Sequence, residues 1–96
     1  MNLISIKIYI DRIQFEIFSI YHDRRNSISQ NEIKIPVSFS MGDKLEYIRN
    51  FISMIINKNK IKKADLNIED KLDVFTIKME GTLEELLSSC GVELCN

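Results

Sequence analysis

The sequence predicts an α+β fold: a three-stranded antiparallel meander, a helix, one or two strands and a short helix, in the order βββαβ(β)α. Three observations carry this. Residues 3–39 contain three apolar–polar alternations of period two. Residues 43–56 repeat large apolar side chains at steps of three and four. A shorter repeat of the same kind, 82–90, runs into a glycine.

In LISIKIYI, residues 3–10, Ile4, Ile6, Ile8 and Ile10 share one face while Ser5, Lys7 and Tyr9 share the other. That is a strand buried on one side. IQFEIFSIY, residues 13–21, keeps the period through Ile13, Phe15 and Ile17, then changes parity to Phe18 and Ile20. Such a change predicts a bulge or a strand covered on both faces. Only Asp11 and Arg12 separate the two strands, so a two-residue hairpin is expected, without the Asn-Gly or Asp-Gly that favours one. HDRRNSISQN, 22–31, reads as a polar connection to a third strand built on Ile33, Ile35, Val37 and Phe39. Pro36 offers no ladder donor, which places that strand at a sheet edge or a bulge.

Asp43 and Glu46 are spaced as a capping box. Leu45, Ile48, Phe51, Ile52, Ile55 and Ile56 then form one helical stripe, which must lie on the sheet to leave water. The helix ends in NKNKIKK. Ala64, Leu66 and Ile68 alternate with Asp65, Asn67 and Glu69, a short strand. DKLDVFTIKM, 70–79, is open between a second strand and a connecting loop. Thr82 with Glu85 gives another capping box, and Leu83, Leu86, Leu87 and Cys90 a two-turn stripe. Gly91 supplies the stop, and VEL at 92–94 fits a last short strand.

Ninety-six residues predict a single domain over 1–96, long enough to fold without a metal or disulfide staple. Alanine occurs once, at Ala64, against many isoleucines, lysines and asparagines, the bias of an AT-rich genome. Thirteen basic residues against fourteen acidic ones argue against nucleic-acid binding over a broad surface, which needs a basic surplus. No apolar run approaches the ~20 residues of a membrane span, and the N-terminus lacks a signal peptide's basic start and cleavage site. A cytoplasmic protein is expected. Cys90 and Cys95, as C-x4-C without a second pair, do not match a zinc pattern, and His22 is the one histidine. We read Cys90 as half-buried and Cys95 as a surface thiol.

Three strands, a helix, a strand and a helix resemble the opening order of the ribonuclease H-like superfamily. FTIKMEGTLEELLSSCGVEL, residues 75–94, also resembles the strand–helix–strand segment of a small uncharacterised bacterial family within it. The resemblance implies an Asp on the first strand and a second acid at the end of the strand that follows the first helix. Asp11 in IYIDRI and Glu69 (or Asp70) in ADLNIED fill those places, and Glu80, Glu84 or Glu85 would supply a third carboxylate. Such carboxylates would hold two Mg²⁺ or Mn²⁺ ions across a phosphodiester. The sequence departs from that pattern in two ways. RuvC-like members usually carry a glycine shortly after the first Asp, where Arg12 and Ile13 stand, and little chain is left for a final strand and helix. Read from its own neighbours, Asp11 is a hairpin corner.

The remaining candidates are few. Lys58, Lys60, Lys62 and Lys63 follow a helix C-terminus, where each cation complements the dipole at ~0.3–1 kcal/mol, though a phosphate contact is the other reading. Tyr21, His22, Arg24 and Arg25 are the mixed aromatic–basic cluster, of the residue types that anchor interfaces. The serines lack a histidine–acid pairing, and no glycine sits in a phosphate-cradling loop. The expectation is therefore a small non-catalytic module without metal or cofactor. It would bind a protein partner, or a second copy, through an exposed strand edge. An accessory subunit, an immunity protein or a phage-encoded inhibitor all suit it. The alternative is a metal-dependent nuclease using Asp11, Glu69 and Glu80.

Overall fold

A computed structural model describes residues 1–70 and 72–95. β1 (Asn2–Ile8), β2 (Arg12–Tyr21) and β3 (Arg24–Lys34) form the antiparallel meander. α1 (Met41–Asn59) leads to β4 (Ile61–Ile68), and α2 (Val74–Ser89) to the two-residue β5 (Glu93–Leu94). The sheet order is β3-β2-β1-β4-β5, with β4 parallel to both β1 and β5. The connections β3–α1–β4 and β4–α2–β5 both step the same way across the sheet. Right-handed crossovers then put both helices on one face.

Burial follows that geometry. Ile4, Ile6 and Ile8 on β1 stand beside Ile17, Phe15 and Ile13 on β2 and beside Ala64, Leu66 and Ile68 on β4. With Ile48, Ile52, Ile55 and Ile56 of α1 and Phe75, Met79, Leu83, Leu86 and Leu87 of α2 they make the core. The opposite face carries Ser5, Lys7, Gln14, Glu16, Asp65 and Asn67 and has no helix over it among the described residues.

The β1–β2 turn is Ile10–Asp11 rather than Asp11–Arg12. The Tyr9 amide donates to the Arg12 carbonyl at 2.9 Å, so Arg12 already belongs to β2. Ile10 consequently leaves the isoleucine face and is exposed. The parity change in β2 is a bulge: the β2–β3 register shifts at Ile17/Phe18, leaving Ile28 of β3 without a partner residue.

Two elements differ from expectation. The polar stretch 22–31 is not a connection. His22 and Asp23, with φ of 50° and 62°, make a two-residue turn of the I′ kind, and Arg24–Lys34 returns as an edge strand. Every residue from Tyr21 to Glu32 is exposed, so this arm has no apolar period to reveal it. Pro36 lies just beyond the strand. The stretch 70–79 is neither strand nor loop alone, for α2 begins at Val74. Its N-cap is Asp73, whose side chain accepts from the Thr76 amide at 2.8 Å, while Thr76 Oγ1 accepts from the Asp73 amide at 3.0 Å. This displaces Thr82–Glu85 as the cap. On α1, likewise, the N-cap is Ser40, accepting from the Asp43 amide at 3.2 Å.

At the end of α2, Gly91 takes a φ of 73°. Its amide donates to Ser88 and that of Val92 to Leu87, a Schellman motif. Cys90, the cap residue, is exposed rather than half-buried, as is Cys95.

Candidate functional site

The carboxyl ends of β1, β3 and β4 lie together with the helix N-termini. In open sheets of this kind ligands bind at such an end. Three loops meet there. The Ile35 amide donates to the Asp11 carbonyl at 3.0 Å, joining the β3–α1 loop to the β1–β2 turn. The Ile10 amide reaches Asp70 Oδ2 at 3.4 Å, joining that turn to the β4–α2 loop. The Glu69 amide donates to the Ile8 carbonyl at 3.0 Å. Adjacency of β1 and β4, the condition for Asp11 and Glu69 to approach, is therefore met at the backbone.

The carboxylates themselves are differently disposed. Asp11 is an exposed turn residue whose Oδ1 accepts from Arg12 Nη1 at 2.8 Å. The Arg12 guanidinium also lies 3.9 Å from the centre of the Tyr9 ring and 3.7 Å from Glu32. Its hydrogen bond to Asp11, then the charges of Asp11 and Glu32, raise the Arg12 pKa. Glu69 is exposed, and Glu80 is carried on the second turn of α2. Among the described residues no three His, Cys, Asp or Glu side chains come together as a metal-binding group.

The Tyr21–Arg25 cluster sits on the β2–β3 arm. Tyr21 is exposed and meets the His22 ring edge-on at 4.2 Å. Arg24 is exposed at the start of β3. Arg25 is different, because it lies back across the open sheet face. Its guanidinium stands 5.4 Å from the Phe18 ring and 3.8 Å from Asp65, which in turn accepts from Ser5 Oγ at 2.5 Å. Leu3, beside Phe18 and Lys63 on that face, is only 2% exposed. Arg25 thus reaches from β3 to β4, three places away in the sheet. Sequence reasoning did not foresee this, since β3 and β4 are distant in both sequence and sheet order.

Beyond Leu3 the open face forms a cavity of about 380 Å³, lined by Ser5, Lys7, Gln14, Glu16, Gln30 and Glu32 among others. Of its polar groups, Gln14 donates to Glu32 at 3.4 Å, and Glu16 accepts from Ser27, outside the lining, at 2.7 Å. The lysines past α1 are spread out. Lys58 lies in its last turn, Lys60 is the C-cap, and Lys62 and Lys63 are on β4.

No protein-family model matches the sequence, and no curated protein matches it. Solved structures do. Thermus thermophilus RuvC superposes with a TM-score of 0.81 over 98% of this chain and 61% of that one, at 8% identity. T. thermophilus RuvC in complex with Holliday junction substrate gives 0.78 over 98% and 63%, also at 8% identity. The Ppx/GppA phosphatase of Aquifex aeolicus gives 0.58 at 16% identity, over 98% of this chain and 34% of that one. The chain spans about three-fifths of the RuvC structures and about one-third of the phosphatase. Its fold is ribonuclease H-like, as the sequence resemblance implied.

Proposed function

We propose that this chain is a non-catalytic protein-binding module on a ribonuclease H-like fold, acting as an accessory subunit or as an inhibitor of the immunity or anti-defence type. One observation carries the reading. Asp11, the acid in the first-strand place, is ion-paired at 2.8 Å by its own neighbour Arg12, which is itself packed on Tyr9. A guanidinium there competes with a divalent cation for the carboxylate. The partner surface is the arm, through Tyr21, His22 and Arg24, together with the free edge of β3. Arg25 supports that surface from the open face. A second copy on the same edge is the homodimeric form of this proposal, and the compartment is the cytoplasm.

A metal-dependent nuclease is the second reading. It is favoured by the adjacency of β1 and β4, which brings the Asp11 and Glu69 loops to one end, and by the likeness to RuvC. Asp11 and Glu69 would hold Mg²⁺ or Mn²⁺, with Glu80 as the further carboxylate. Thermal unfolding with millimolar Mg²⁺ or Mn²⁺ separates the two. We expect no rise in Tm. A rise that Asp11→Asn and Glu69→Gln each abolish would overturn the binding reading in favour of the nuclease. For the arm, Tyr21→Ala with Arg24→Ala is expected to weaken a nuclease-resistant partner complex by about tenfold or more, with Tm unchanged.

A further inference from the structure

The free edge of β3 matches itself in one register. Every residue from Tyr21 to Glu32 is exposed, so none of the described chain covers this edge. Its outward backbone groups follow from the ladder with β2. The Ile35 amide donates to the Asp11 carbonyl, so in the register Ile13↔Ile33, Phe15↔Asn31 and Ile17↔Ser29 those β3 residues bond inward. Lys34, Glu32 and Gln30 then turn their amides and carbonyls outward. At the other end the two-residue turn closes on Tyr21↔Arg24. Arg24 and Asn26 therefore bond inward, and Arg25 and Ser27 face out.

The side chains divide in the same way. Arg25 reaches Asp65, Ser27 donates to Glu16, and Gln30 and Glu32 stand beside Glu16 and Gln14, all on the open face. Asn31 and Ile33 stand beside Phe15 and Ile13, on the helix side, which alternation also gives to Arg24 and Asn26. The bulge at Ile28 changes the parity, so that 25 and 27 share a face with 30 and 32.

A second, antiparallel β3 must set outward groups against outward groups and open face beside open face. Three registers do this while pairing most of the segment before the bulge with the segment after it. One puts Arg25 against Lys34 and another Asp23 against Glu32, like charge on like. The register between them has its twofold axis between Ile28 and Ser29. There Arg25 faces Glu32, Lys34 faces Asp23, Ser27 faces Gln30 and Asn26 faces Asn31, each twice. These charges are available. Among the described residues Lys34 and Asp23 have no ion pair. Glu32 meets Gln14 and Arg12 through Oε1 alone, and Arg25 stands 3.8 Å from Asp65, beyond hydrogen-bond distance. A bulge ordinarily keeps an edge from pairing. Here the two bulges meet at the axis, where Ile28, 54% exposed and without a partner residue on β2, lies diagonally across from its counterpart.

We propose that β3 pairs with the β3 of a second copy in this register, joining the two sheets edge to edge. This rests on the protein-binding reading, of which it is the homodimeric form.

Sedimentation of the full chain at rising concentration is expected to show a monomer–dimer equilibrium. Glu32→Arg and Arg25→Glu should each raise the dimer Kd about tenfold or more, by setting like charges opposite one another. An equimolar mixture of the two variants should dimerise about as well as the original chain, because every such contact again joins opposite charges. The register is read by disulfide trapping with Cys90→Ser and Cys95→Ser in place. Asn26→Cys chains mixed with Asn31→Cys chains should link, and neither should link to itself. A chain that stays monomeric at millimolar concentration overturns the proposal. So do a dimer indifferent to both charge variants, a mixture of them that stays monomeric, and self-linking of the Asn31→Cys chain. A monomer that still holds a nuclease-resistant partner of another sequence removes the second copy and keeps the protein-binding reading. That reading falls to the metal-dependent rise in Tm described above, which is measured separately.

Discussion

Helices α1 and α2 cover the same face of the sheet, but their outer surfaces follow opposite rules. On α1 the residues away from the core are polar, apart from Met54 and from Tyr47, which packs edge-on to Phe39 at 5.6 Å. On α2 the first turn carries apolar side chains on both sides, Phe75 buried and Val74 and Ile77 exposed. Apolar character alone therefore does not say which side of a helix the fold needs. Stability measurements can separate the two. Ile52→Ala on α1 and Leu83→Ala on α2, both fully buried, should each cost about 2–5 kcal/mol in urea unfolding. Ile77→Ser on the outer row of α2 should stay within about 0.5 kcal/mol. A cost near that of Leu83→Ala would mean the row is structural and the contrast between the helices false.

The N-caps sharpen the comparison. Ser40 gives α1 one exposed bond of 3.2 Å, whereas Asp73 and Thr76 satisfy each other's amides on α2, with Thr76 fully buried. Asp73→Ala should cost about 1–2 kcal/mol and Ser40→Ala about half as much. Equal losses would show that reciprocity adds nothing here.

The C-termini differ as well. Both helices end through a left-handed residue, Gly91 after α2 but Lys60 at the cap of α1, with φ 50° and ψ 50°. A side chain with a Cβ is strained there by about 1 kcal/mol. Lys60→Gly should therefore gain up to about 1 kcal/mol, and Gly91→Ala should lose a similar amount by the same denaturation experiment.

What could be read from the sequence follows from how many sides each element buries. Apart from Leu3 on the open face, β1, the first half of β2, α1 and β4 bury one side, so their periods are plain in Ile4–Ile6–Ile8, Ile13–Phe15–Ile17, Ile48–Ile52–Ile55 and Ala64–Leu66. β3 buries only its last turn of alternation, at Ile33, and its His22–Asp23 turn adopts positive φ without glycine, so composition reads it as a connection. In α2 the outer row fills the gaps of the inner one, and Val74, Phe75, Ile77 and Met79 then resemble a strand. The candidate site divides in the same way. Parity along β1 and β4 places Asp11 and Glu69 at adjacent strand ends. The Arg25–Asp65 pair joins β3 to β4 across two intervening strands, which no local pattern encodes.

The smallest effect expected concerns the bridge between the two helices. Arg49 Nη2 lies 3.1 Å from Glu85 Oε2, with the two side chains 41% and 63% exposed. Water and salt screen a pair so placed, and two long side chains lose rotamer freedom to form it. A double-mutant cycle with Arg49→Ala and Glu85→Ala should therefore give a coupling of about 0.2–1 kcal/mol, falling as salt is raised. That value would mean α1 and α2 are held in place by the apolar layer beneath them, each independently of the other's outer surface. A coupling well above 1 kcal/mol would instead tie the exposed side of α2 to α1, so that a change on one helix would be felt by both.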